Sequence, residues 1–195
     1  MLSANRQPRN DARSTIARLL ERIWTADPAT YQHSVDVGIL AGRIACFFGF
    51  DPGPITLAGF GHDAGKLAVR PELLQKTTGW TKDDSKEMEH HTIAGYEILN
   101  DLGLSQFARI AAMHHLFQPK PYPQTLPWKE KPDKAELMVA RIIGVADRYS
   151  ALHRSNDRFG SVPLSEGQIM GKMFEMTNDA VSILMVWALY LYGIL

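Results

Sequence analysis

The sequence predicts an all-α protein, and three observations lead there. Apolar residues recur at helical spacing between breaks marked by Pro and Gly, as in Ile16, Leu19, Leu20 and Ile23. No stretch alternates apolar and polar residues over a convincing strand length, and there is neither an internal repeat nor a glycine-rich loop of the strand-to-helix kind. The histidines and acids that interrupt the apolar stripes fall at or near helix ends, where several helices can present them to one shared centre.

Length and charge narrow the function. A chain of 195 residues can bury one sizeable core, and its 45% hydrophobic and 22% charged content fits an ordinary globular protein. Lys plus Arg equals Asp plus Glu at 21 each, which excludes the broad electrostatic footprint needed to hold nucleic acid or an acidic membrane. The single Cys46 allows no intrachain disulfide; it is expected to be a small buried hydrophobe in the run 44–48, and it agrees with a reducing compartment. Residues 1–9 lack the apolar core of a signal peptide and read as an exposed lead-in. The apolar stretch 180–195 is shorter than the roughly 20 residues that span a bilayer, so a cytoplasmic location without membrane contact is expected.

Taken in order, the first helix is expected over about residues 11–25 and ends at the Asp27-Pro28 step. A second, from about 29 to 48, carries His33, Val37, Leu40, Ile44 and Phe47 on one stripe, so His33 faces inward as a ligand or as a buried imidazole bonded to a carbonyl. After a turn at 49–54, residues 55–62 read as a short helix of small residues that can pack closely. Pro71 opens a helical turn, and Thr81 caps a helix with Asp83 and Asp84 in its first turn. Further helices follow His91, with Ile93, Ala94, Ile98 and Leu99 inward, and run from Ser105 to Met113. Prolines at 119, 121, 123, 127 and 132 leave no regular element over 118–132, a loop that either covers a ligand or simply links. Helix resumes near Asp133; a loop is expected over 154–162, a helix from about Ser165 with Ile169, Met170, Met173 and Phe174 inward, and a last helix capped by Asp179 with Val181, Leu184, Met185, Ala188 and Leu189 inward.

The chemistry centres on residues 61–66, Gly-His-Asp-Ala-Gly-Lys. Adjacent His62 and Asp63 offer nitrogen and carboxylate donors suited to a borderline divalent metal, and a carboxylate can bridge two ions. Gly61 and Gly65 permit close backbone approach, and Lys66 adds a charge suited to phosphate. A pair of histidines, His114 and His115, cannot both enter one apolar core, so a shared polar site explains them better. Asp147 is the only charge on the stripe Leu137, Ala140, Ile143, Gly144, Asp147, Ala151, and a buried carboxylate requires a cation, a metal or several donors.

The segments 31–34, 62–66, 88–95, His114-His115 and 142–147, in this order, resemble the HD superfamily of metal-dependent phosphohydrolases, more closely its HD-GYP branch, which hydrolyses cyclic di-GMP in bacteria. The resemblance implies a single helical bundle with a buried two-metal site, in which residues 1–28 form a helical lead-in and 29–195 the domain. It assigns His33, His62, Asp63 and Asp147 to one ion and His91, His114 and His115 to a second, with Asp63 shared; the ions are divalent transition metals such as iron, manganese or zinc. Members with a third metal carry Glu four residues before the first His, where this chain has Ala29, so two ions are expected. Lys66 then neutralises phosphoryl charge, and a hydroxide held between the ions opens a cyclic dinucleotide to a linear product.

Two departures bear on substrate. The segment 116–123 keeps Tyr122-Pro123 but lacks the Glu, Asp and Gly of the family's loop, and Ser150 stands where the family usually has Asp. Lys120 and Tyr122 are the loop residues expected near a phosphate or a base, and hydrolysis of cyclic di-GMP is expected to be weak or slow. The alternatives are a phosphohydrolase of another nucleotide or phosphomonoester, and a degenerate HD domain that binds a nucleotide or a protein without turnover. Relatives often join this domain to a sensor or receiver module and continue beyond the segment matching 189–195, so a larger protein, a signalling partner or a homodimer is compatible with the resemblance.

Overall fold

Side chains at the helix starts set most of the element boundaries in the computed structural model, which describes residues 11–76, 78–154 and 163–195. The expected lead-in at 1–9 and most of the loop at 154–162 lie outside the described residues. Asp11, Asp27 and Asp51 each accept a backbone N–H in the first turn of α1 (Ala12–Ala26), α2 (Pro28–Phe47) and α3 (Pro52–Gly61). After the short α4 (Pro71–Leu74), Thr81 and Asp84 form a reciprocal capping box at the start of α5 (Lys82–Glu89). The helices α6 (His91–Asp101) and α7 (Ser105–Met113) follow without such caps. Capping boxes Asp133/Glu136 and Ser165/Gln168 open α8 (Lys134–His153) and α9 (Glu166–Glu175), and Asp179 caps α10 (Ala180–Leu191). The described residues are helices and loops without a strand, as expected.

The boundary expected at 55 moves to Pro52. Asp51 holds the N–H of Gly53 at 3.0 Å and Pro52 sits at the first helical position, so the anticipated turn is already helix. Cys46 is exposed, which overturns its expected burial: Ile44 and Ala45 take the inward positions of α2 and leave Cys46 on the outer face. In α10 the inward residues are Ser182, Met185, Val186 and Leu189, whereas Val181 and Leu184 are exposed.

Two apolar clusters carry the packing. One joins α2, α3, α8, α9 and α10 through Val37, Ile44, Ile55, Ile143, Met173 and Val186. The other joins α1, α6 and α7 through Ile16, Leu19, Ile23, Leu99 and Ala111. The helices α2 and α3 cross at glycine: a Cβ on Gly59 would lie 2.6 Å from the Cα of Gly38. Between α3 and α4 the chain forms a 3-10 turn, Ala64–Ala68, whose Gly65 lies against the start of α6; a Cβ there would lie 1.8 Å from the carbonyl oxygen of His91. His62 and Asp63 thereby adjoin the second cluster through Ala64, while Asp147 adjoins the first through Ile143 and Ala146. Among the described residues no helix is long and apolar enough to cross a membrane.

Candidate metal centre

Five imidazoles and two carboxylates from distant segments converge. His33 comes from α2, His62 and Asp63 from the end of α3, His91 from the start of α6, His114 and His115 from the end of α7, and Asp147 from α8. All but His115 are buried, and His115 is only slightly exposed.

The two oxygens of Asp63 face different partners. Oδ2 lies 3.4 Å from His62 Nε2 and 3.7 Å from His33 Nε2, whereas Oδ1 lies 3.4 Å from His91 Nε2. Asp147 Oδ1 is 2.9 Å from His33 Nε2 and 3.8 Å from His62 Nε2. Donor atoms within 4.8 Å of one another fall into three overlapping sets: His33, His62, Asp147; His62, Asp63, His114; and His91, His114, His115. The sequence-based division into two ligand sets joined by Asp63 is thus compatible with the geometry, and His114 also reaches the first set.

The outer nitrogens of the rings are already engaged. His62, His91 and His114 each turn Nδ1 to a carbonyl three residues earlier, Gly59 at 2.7 Å, Met88 at 2.5 Å and Ala111 at 2.7 Å. His33 Nδ1 meets the Ser150 hydroxyl at 3.1 Å, and His115 Nδ1 meets Gln118 Oε1 at 3.2 Å. Such partners fix the tautomer and turn the remaining nitrogen toward a metal. His62 Nε2 is buried with no hydrogen-bond partner among the described residues, an atom suited to ligation and otherwise costly.

Charge states follow from burial and neighbours. Burial holds His33, His91 and His114 below the usual imidazole range and brings His115 down to about 3, so these rings are neutral donors. Burial alone would raise Asp63, but the charges of His62 and Lys66 outweigh it and hold the carboxyl well below its ordinary value. Asp147 is likewise held down against burial, first by the hydrogen bond from His33 and then by the other imidazoles around it. In His62 burial is outweighed by Asp63 and Asp147, and its value rises. Neutral imidazoles with ionised carboxylates are the states that bind divalent metals.

A family model described as the HD domain matches residues 30–152, more than half of the chain and all seven donors. This chain belongs to the HD-domain family. The HD domain here is 26% identical over 160 residues to the cyclic di-GMP phosphodiesterase response regulator RpfG of Xanthomonas campestris pv. campestris (strain 8004), an alignment covering 78% of this chain and 41% of the relative. The chain therefore spans less than half the length of that relative. Among solved structures it resembles the HD domain of the L. monocytogenes phosphodiesterase PgpH, with a TM-score of 0.62, 23% identity, and coverage of 90% of this chain and 98% of that one. A structure of the same domain in complex with cyclic-di-AMP gives a TM-score of 0.61 at 22% identity, covering 91% and 96%. These likenesses agree with the all-α bundle.

The donors of this HD domain open onto a cleft of about 990 Å³, lined in part by His33, Lys66, His91, His115, Tyr122 and Asp147. Lys66 Nζ bonds Asp63 Oδ2 at 2.5 Å, so it touches the shared carboxylate as well as facing the cleft. Tyr122 lines the cleft, its ring centroid 4.4 Å from that of His115. Lys120 does not line the cleft; it is exposed, and its carbonyl accepts from Gln118. Phe117 is buried beneath Arg141, with the guanidinium carbon 4.3 Å from the ring centroid, and its carbonyl accepts from Asn178 N–H.

Four lining or supporting residues escaped the sequence reading. In the sequence Ser150 stands out only as a departure from the family, yet its hydroxyl holds His33. Arg154 lines the cleft while its guanidinium bonds the carbonyl of Ala29, joining the end of α8 to the start of α2. Arg148 is buried beside the cleft, none of its nitrogens having a hydrogen-bond partner among the described residues. Trp80, from the α4–α5 connection, also lines the cleft. Only Arg148 carried a usable signal, as a charged residue adjoining Asp147 within an apolar helix.

Proposed function

We propose that this HD domain is a metal-dependent phosphodiesterase that opens cyclic dinucleotides, with cyclic di-GMP the first candidate. The observation that carries the reading is Asp63, whose two oxygens face separate imidazole groups. His33, His62, Asp63 and Asp147 would hold one divalent ion, and Asp63, His91, His114 and His115 a second. Bound there, divalent ions supply Lewis acidity toward phosphoryl oxygens and acidify water.

The chain's own groups complete the chemistry. The carbonyls of Gly59, Met88 and Ala111 hold His62, His91 and His114 with Nε2 inward. Lys66 orients Asp63 and presents its ammonium to the cleft, where it binds a phosphoryl oxygen and offsets the charge that grows there. Tyr122 covers His115 and helps to exclude water from the second ligand group.

The relative RpfG supports cyclic di-GMP, and the fold's likeness to PgpH bound to cyclic-di-AMP keeps that second dinucleotide in view. Elemental analysis of protein purified without chelator, combined with a panel containing both cyclic dinucleotides, simple phosphodiesters and nucleotide monoesters, tests the reading. More than one transition metal per chain and turnover of a cyclic dinucleotide are expected. Protein that takes up no manganese, iron or zinc, or that cleaves only monoesters, would overturn it.

A further inference from the structure

We propose that Trp80 is a stacking platform for a nucleobase, with Tyr122 as the companion platform nearer the metals, an inference that rests on the phosphodiesterase reading of the same cleft. Both side chains line that cleft and reach it from separate connections. Tyr122 approaches from the loop after α7, its centroid 4.4 Å from His115 and 6.1 Å from His91. Trp80 approaches from the α4–α5 connection and packs on the small cluster of Val69, Leu73 and Met88, three residues before His91. Lys66, the cation proposed to bind phosphate, lines the same cleft. Two aromatic side chains in one cleft with a cation for phosphate match a ligand in which a phosphodiester joins two nucleosides, and every base offers a face for stacking.

The surroundings of Trp80 hold the ring in place. Its indole N–H donates to the Lys76 carbonyl at 3.0 Å, and the Lys76 ammonium bonds Asp84 at 2.6 Å, which ties the connection to the first turn of α5. Trp80 remains only partly buried, so the residue is shared between the cluster and the cleft. A side chain held in place beforehand by such contacts costs a ligand little ordering entropy.

The test is equilibrium binding of cyclic di-GMP and cyclic di-AMP to the manganese-loaded protein by calorimetry, beside hydrolysis of methyl p-nitrophenyl phosphate, a diester without a nucleobase. Trp80→Leu keeps apolar volume and removes the ring, and should weaken dinucleotide binding by about 5- to 100-fold. Trp80→Phe restores an aromatic ring and should bind close to wild type, and in Trp80→Leu the loss on the base-free diester should be much smaller than the loss in dinucleotide binding. Unchanged dinucleotide binding in Trp80→Leu, equal losses in both variants with slowed base-free hydrolysis, or a wild type that binds neither dinucleotide would each overturn the platform. Binding that depends on Trp80 without turnover of any diester would support the platform and overturn the hydrolase reading.

Discussion

Replacing Ser150 by Ala tests whether the shell behind the donors sets metal affinity. The hydroxyl lies 3.1 Å from His33 Nδ1, while Nε2 of the same ring faces Asp147 Oδ1 at 2.9 Å, all within the interior. When Nε2 carries the proton, Nδ1 accepts from Ser150; when Nε2 binds a metal, Nδ1–H donates to it. A hydroxyl can do both, and a methyl group can do neither. Losing one buried partner costs on the order of 1–3 kcal/mol, and removing a group that orients a metal-binding imidazole lowers metal affinity about 10- to 100-fold. Ser150→Asp accepts only, so it favours the ligating tautomer and should recover or exceed wild-type affinity. Competition against a chelating dye for zinc or manganese reads the constants, and thermal unfolding confirms that the fold survives. Ser150→Ala with wild-type affinity and an intact fold would refute the reasoning.

Four further outcomes are expected. Asp63→Ala should lose most bound metal, whereas Lys66→Ala, which removes a neighbour of Asp63 and not a ligand, should keep most metal and slow turnover; elemental analysis showing equal loss would reassign the lysine. Chelated protein should lose thermal stability as pH falls below about 6.5, because unfolded histidines gain protons that buried His33, His91, His114 and His115 resist, the loss growing until each folded value is passed, about 3 for His115. His62, with a raised value, acts in the opposite sense, so a midpoint that stays level or rises between pH 7 and 5 would show that the depressed histidines do not dominate. Gly65→Ala would drive a methyl group into the His91 carbonyl and should destabilise the protein by about 3 kcal/mol or more, measured by urea unfolding. A Glu-containing, glycine-rich graft ending in Gly-Tyr-Pro over 118–123, begun after the buried Phe117, should raise cyclic di-GMP turnover; rapid natural turnover unchanged by the graft would show that the loop does not limit the reaction.

The donor residues were legible because each breaks an apolar pattern at a costly place. Asp147 on an otherwise apolar stripe and the adjacent His114 and His115 have no comfortable place in a uniform core. Helix starts were legible where Asp, Thr or Ser precedes a helical run, as at Thr81, Ser165 and Asp179. The inward face of α10 was not, because Val181, Leu184, Met185, Val186, Trp187 and Leu189 make the helix apolar nearly all round and leave periodicity without contrast. Cys46 fails for the same reason within 44–48. Trp80 and Arg154 reach the cleft through tertiary packing of connections whose course no local pattern announces.

The carbonyls that hold His62, His91 and His114 all belong to the last turns of helices, α3, α5 and α7 respectively. Three helix C-termini, each carrying partial negative charge, thus lie behind imidazoles that gather with Asp63 and Asp147. The carboxylates there favour cations and oppose a phosphodiester, so on the phosphodiesterase reading the expected order of addition is metal first, anionic ligand second. Cyclic-dinucleotide binding should accordingly rise with divalent-ion concentration and vanish in excess chelator, making the domain responsive to metal supply before any question of turnover arises.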